Sequence, residues 1–119
     1  HPALKRIAES ILQSPQLDRP VASWAQETAM SERTLARLVL KETGLSFGAW
    51  RLKIAMLTAT QKLLAGERAE EVAAYLGYAA PSAFSSAFRR VFGTSPSTFR
   101  NAELSLRKNS PPKHPITLD

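Results

Sequence analysis

The feature that most constrains this chain is that it repeats itself. Trp24-Ala25 lines up with Val72-Ala73, and Ala29-Met30 with Gly77-Tyr78, at an offset of 48 residues. Leu35 then aligns with Phe84, Val39 with Phe88, and Gly44-Leu45-Ser46 with Gly93-Thr94-Ser95, at an offset of 49. The second copy therefore carries one extra residue in its turn. Each copy places a small residue in the middle of a short helix, where two helices cross closely. A tight turn follows, then a second helix with apolar residues three or four apart. This order is the helix-turn-helix pattern, whose second helix lies in the major groove of DNA. Any helical protein has alanines and turns, but two such patterns matched at offsets that differ by a single turn residue are much harder to produce by accident.

The sequence around the repeat also reads as helix. Apolar positions recur at three- and four-residue spacing, and no segment shows the period of two that marks a strand. The first helix covers about residues 3–13, with Leu4, Ile7, Ala8, Ile11 and Leu12 on one face. Ser14-Pro15 ends it, because the residue before a proline disfavours the helical conformation. A second helix begins near Pro20, with Asp18 as its expected cap. Ser31 caps a third, which turns Leu35, Leu38 and Val39 inward and stops at Gly44.

Ser46 opens a long helix to about Ala65, closed by Gly66. Phe47, Trp50, Ile54, Leu57 and Leu64 form its stripe, with Ala55, Ala59 and Leu63 beside it. Some twenty residues span about 30 Å. Two recognition helices on one face of B-DNA sit about one turn apart, near ~34 Å, which a rigid helix of this length can hold. A short helix over about 69–76, one over 81–92 and a last one opened by Ser95-Pro96 follow. The sequence thus predicts an all-α protein of about seven helices. Residues 1–45 form one helix-turn-helix subdomain, 46–66 a long linker helix, and 67–103 a second subdomain. The proline-rich, polar stretch 104–119, with Arg107 and Lys108, predicts a disordered tail.

Composition removes most other functions. The 119 residues include no cysteine, which excludes disulfides, thiol catalysis and cysteine-ligated zinc. The two histidines, His1 and His114, stand at opposite ends of the chain, whereas a catalytic triad or metal site needs one held in a pocket. Glu67, Glu70 and Glu71 read as helix-dipole partners, not as catalytic acids. No enzyme, cofactor or metal site is therefore expected. No apolar run approaches the ~18 residues that cross a bilayer. The net charge of +6 and pI near 10.2 favour a polyanionic partner, most commonly nucleic acid. A chain that opens on His1 without an initiator Met is expected to be a piece of a longer one.

Two segments carry a family resemblance. They are SERTLARLVLKETGLSFGAW, residues 31–50, and VAAYLGYAAPSAFSSAFRRVFGTSPSTFR, residues 72–100. Over residues 3–103 the chain resembles the DNA-binding domain of the AraC/XylS family of bacterial regulators. The resemblance implies a cytoplasmic transcription regulator that binds double-stranded operator DNA and meets RNA polymerase. It also implies a separate effector-binding or dimerising domain, often N-terminal and cupin-like, for which these 119 residues leave no room.

The expected DNA contacts follow from the outward faces. In the first unit these are Glu32, Arg33, Ala36, Arg37 and Lys41. An arginine fork reads the O6 and N7 of guanine at ~1–3 kcal/mol of discrimination, which suits Arg33 and Arg37. Ala36 suits a thymine methyl, and Lys41 completes the basic row. The second unit presents Ser82, Ser85, Ser86 and Arg89. Ala80 stands where relatives commonly place a capping Asp, Ser86 where they often have Arg, and Ala55 where the linker helix often has Arg. Short hydroxyls discriminate bases poorly, so this unit is expected to grip phosphates through Arg89, Arg90 and Arg100 while Arg33 reads sequence. Trp24, Trp50, Phe84, Phe88, Phe92 and Phe99 are expected in the core. The competing reading is a degenerate helix-turn-helix module that serves protein–protein interaction.

Overall fold

The computed structural model describes residues 1–109, which form seven helices. They are α1 (Pro2–Gln13), α2 (Val21–Glu27), α3 (Glu32–Thr43), α4 (Phe47–Leu64), α5 (Ala69–Leu76), α6 (Pro81–Phe92) and α7 (Pro96–Asn109). There is no strand among the described residues, so the all-α expectation holds.

Local chemistry sets most helix ends. Ser31, Ser46 and Ser95 each stand one residue before a helix. Their hydroxyl oxygens accept from the N–H groups of Thr34, Ala49 and Thr98 at 3.0, 3.2 and 3.1 Å. Each bond satisfies one of the donors that a helix start leaves without a partner. Gly44 and Gly93 stop α3 and α6 in the left-handed conformation, with φ of 76° and 77°.

Asp18 does not cap α2. The cap position is Pro20, with no side-chain bond, and Asp18 lies too far upstream to reach the first free N–H groups. Arg19 organises this entry instead. It donates to Ser23 Oγ at 2.8 Å and Glu27 Oε1 at 2.9 Å, with its guanidinium 3.8 Å from the Trp24 ring centroid.

A single hydrophobic core runs through both units, from Leu4, Ile7 and Ile11 in α1 to Phe84 and Phe88 in α6. Its centre is α4, which packs against α1, α3, α5, α6 and α7. Each large side chain fully buried there contributes ~1.5–3 kcal/mol relative to leaving it exposed. Because α4 is gripped from several directions, its buried set is rotated from the expected stripe. Phe47, Ala55, Met56, Thr58, Ala59 and Leu63 are buried, Trp50, Ile54 and Leu64 are half-buried, and Leu57 is exposed. Leu12 of α1 is likewise exposed, and Phe92 sits at the surface edge of the aromatic cluster with Phe99 half-buried.

Residues 104–109, expected to belong to a disordered tail, are helical. Helix α7 continues through Asn109, because residues after 103 dock on the end of α4 through Arg107, which donates to Leu64 O at 2.7 Å. The remainder of the expected disordered tail, residues 110–119 with His114, lies outside the described residues.

Candidate nucleic-acid interface

The first candidate surface is the outer face of α3. Leu35 and Val39 are fully buried and Leu38 partly so, which anchors the helix by one side only. Arg33, Ala36, Arg37 and Lys41 consequently stand together in solvent on the other side. None of the three cations makes a hydrogen bond or ion pair with a described residue. Leu40, 58% exposed, extends the same row four positions after Ala36, and sequence reading had left it out. Its signal was there: helical neighbours lie three and four apart.

The second surface is the outer face of α6. Phe84, Ala87 and Phe88 are buried against α5 and α7, and this leaves Ser82, Ser86, Arg89 and Arg90 exposed and Ser85 half-buried. Helix α6 starts without a side-chain cap at Ala80, and Pro81 occupies its first turn, where a missing N–H is harmless. Arg90 leans toward the linker: it lines a shallow groove with Leu45, Leu52, Lys53 and Val91. Its positive charge also acts on Tyr78, whose phenol burial pushes above the usual range and Arg90 pulls partly back.

Arg100 does not join the other basic residues. Its Nε donates to Glu67 O at 3.0 Å and its Nη2 to Gly66 O at 2.9 Å, with Asn101 Oδ1 3.5 Å from Nη1. The guanidinium thus faces the segment between α4 and α5. Arg107, expected in a solvated tail, sits beside it on Leu64 O. A cation at a helix C-terminus meets the negative end of the helix dipole as well as unpaired carbonyls.

The remaining polar chemistry is structural. Glu71 Oε1 accepts from the Arg68 N–H at 2.9 Å at the start of α5, and Glu67 pairs with Lys62 at 3.6 Å. Among the described residues no group of three or more His, Asp or Glu could hold a metal ion, and no helix is long and apolar enough to cross a membrane.

Two capped or proline-started helices, each on its own small three-helix unit and joined through one central helix, define a double helix-turn-helix protein. Residues 24–102 match the family of helix-turn-helix domains. The chain belongs to this family, in its AraC type, a family of non-enzymatic DNA-binding domains of transcription regulators. It is 38% identical over 99 residues to the transcriptional regulator NimR of Escherichia coli, covering 83% of this chain and 36% of that protein. It is 32% identical over 114 residues to the regulator RipA of Corynebacterium glutamicum, covering 95% of this chain and 34% of that one. The chain therefore spans about a third of the length of these relatives. Among solved structures, it superposes on the C-terminal domain of AraT, a response regulator from Geobacillus stearothermophilus, with a TM-score of 0.76 and 31% identity over 86% of each chain. It superposes equally, at 0.76 and 27% identity, on the DNA-binding domain of AdpA solved with a target DNA, covering 91% of this chain and 95% of that one.

Proposed function

We propose that this domain binds double-stranded DNA in a sequence-specific manner, with α3 and α6 in successive major grooves on one face of the duplex. The observation that carries the reading is the unpaired, exposed row of Arg33, Arg37 and Lys41 on a helix whose opposite side is locked in the core. In the family setting, such a row is a base and phosphate reader. Arg33 reads a base edge, Arg37 a base or a phosphate, Lys41 a phosphate, and Ala36 a thymine methyl. In the second unit, Ser82, Ser85 and Ser86 approach the bases with short reach while Arg89 and Arg90 hold phosphates. Affinity comes largely from counterion release, and sequence from few side chains. For the whole regulator we expect a cytoplasmic protein that contacts RNA polymerase and carries its effector-binding or dimerising domain in the part of the chain beyond these residues.

Selection of bound duplexes from a random DNA library at ~100 mM salt tests the reading. Enrichment of a bipartite motif with two blocks about 10 base pairs apart supports it. A single block assigns base reading to α3 alone. No enrichment above non-specific binding overturns it in favour of an interaction module.

A further inference from the structure

The internal repeat extends one helix further than the recognition helices, and it pairs two arginines. At the offset of 49, Trp50-Arg51 in the linker helix aligns with Phe99-Arg100 in α7. Both arginines perform the same bond. Arg51 donates to the carbonyl of Arg19, two residues before α2 begins, and Arg100 to the carbonyl of Glu67, two residues before α5 begins. In each helix-turn-helix, then, an arginine from the helix that follows the candidate recognition helix clasps the lead-in to the helix that precedes it: Arg51 of α4 the lead-in to α2, and Arg100 of α7 the lead-in to α5.

The two clasps differ in what the lead-in is attached to. Arg19 lies in the loop after α1, so the Arg51 clasp ties the N-terminal part of the linker helix to the first unit. Glu67 follows directly on the linker helix, and Arg100 also takes Gly66 O while Arg107 takes Leu64 O. The second clasp therefore fastens α7 to the C-terminal end of α4. One residue before Arg100, α7 sends Phe99 against α6, with ring centroids 5.6 Å from Phe88 and 6.5 Å from Phe92. Helix α7 is a strut between the linker and the second candidate recognition helix.

We propose that Arg100, supported by Arg107, is a positioning residue that sets the spacing and angle of α6 relative to α3, and hence the half-site spacing that the domain accepts. The inference rests on the DNA-binding reading, but the mechanical part of it stands without DNA. A guanidinium fork bonding two carbonyls is a directional fastener, and lysine, a point charge on a flexible stem, replaces it poorly.

The chain has no cysteine, so Ala36→Cys and Ser86→Cys supply a unique pair of spin-label sites, one on each recognition helix. In the full 119-residue chain the distance distribution between them is expected to be narrow, and to broaden with Arg100→Met and, less, with Arg100→Lys. An unchanged distribution in Arg100→Met overturns the proposal. If Arg100→Met fails to fold, Arg107→Ala at the exposed end of the clasp carries the same test, with a smaller broadening expected. On the duplex enriched from the random library, preference for the selected spacing over spacings one base pair longer or shorter is expected to fall about tenfold in Arg100→Met, with the salt dependence of binding unchanged. A salt slope reduced by about one with spacing preference intact makes Arg100 a phosphate ligand and overturns the proposal. Absence of any bipartite motif defeats the DNA-binding reading alone, since the label distances still decide the role of Arg100.

Discussion

The two helix-turn-helix units share a backbone plan and divide its chemistry unequally. In the first, α3 begins on a serine cap, and its exposed face carries two arginines and a lysine. In the second, α6 begins uncapped at Ala80, and its exposed face opens with serines before the basic pair Arg89 and Arg90. The turns differ in the opposite sense. Gly77 adopts φ of 99° in the second unit, which glycine does without strain, whereas Ala29 adopts φ of 57° in the first. The two ends of the shared core differ too. In the second unit it is an aromatic cluster of Phe84, Phe88, Phe92 and Phe99, and in the first it is built from Trp24 and aliphatic residues. A repeat preserves the geometry that two helices need in order to cross. It leaves the solvent face free to diverge, because no packing constraint acts there.

That contrast can be broken most strongly at the aromatic cluster. Phe88 is fully buried and touches three other rings, so Phe88→Ala is expected to cost about 3–5 kcal/mol. Urea unfolding should register this, and should show the second unit melting before the first if the shared core separates. The division of base reading comes next. Arg33→Ala is expected to weaken binding to the selected duplex by ~1–3 kcal/mol and to relax one position of one block. Ser82→Ala with Ser86→Ala should change base preference less; an equal change would mean that both units read sequence alike.

The caps provide a smaller, two-way test. Ser31→Ala removes the bond to Thr34 and should destabilise by ~1 kcal/mol, while Ala80→Asp should stabilise by a comparable amount, both read from thermal unfolding. At the turns the effects expected equal those of the caps or fall below them, the smallest of all being at Ala29. Ala29→Gly relieves a left-handed alanine at some entropic cost, for a net gain of ~0.5 kcal/mol, and Gly77→Ala should lose ~1 kcal/mol. If Ala29→Gly destabilises, the first turn is held by contacts that outweigh its backbone strain.

Much of this architecture was legible in the residues. Serines at 31, 46 and 95 and glycines at 44 and 93 act within a few residues of themselves, so helix ends could be placed from local chemistry. The candidate interface on α3 was legible for the same reason, since an amphipathic helix with Leu35 and Val39 inside must turn Arg33, Arg37 and Lys41 outside. Asp18 shows the limit of this method even locally: it lies two positions before the cap of α2, which has no side-chain bond, and its charge acts on Arg51 instead.

The sequence by itself determined the repeat, the all-helical class and which faces of α3 and α6 meet solvent, because periodicity and capping are interactions of near neighbours. Only the tertiary structure decided which side of α4 is interior, since that depends on five helices packing around it. It alone took Arg100 and Arg107 out of the set of free cations. Their acceptors are backbone carbonyls 33 to 43 residues away, and a carbonyl is present at every position, so no residue type announces it.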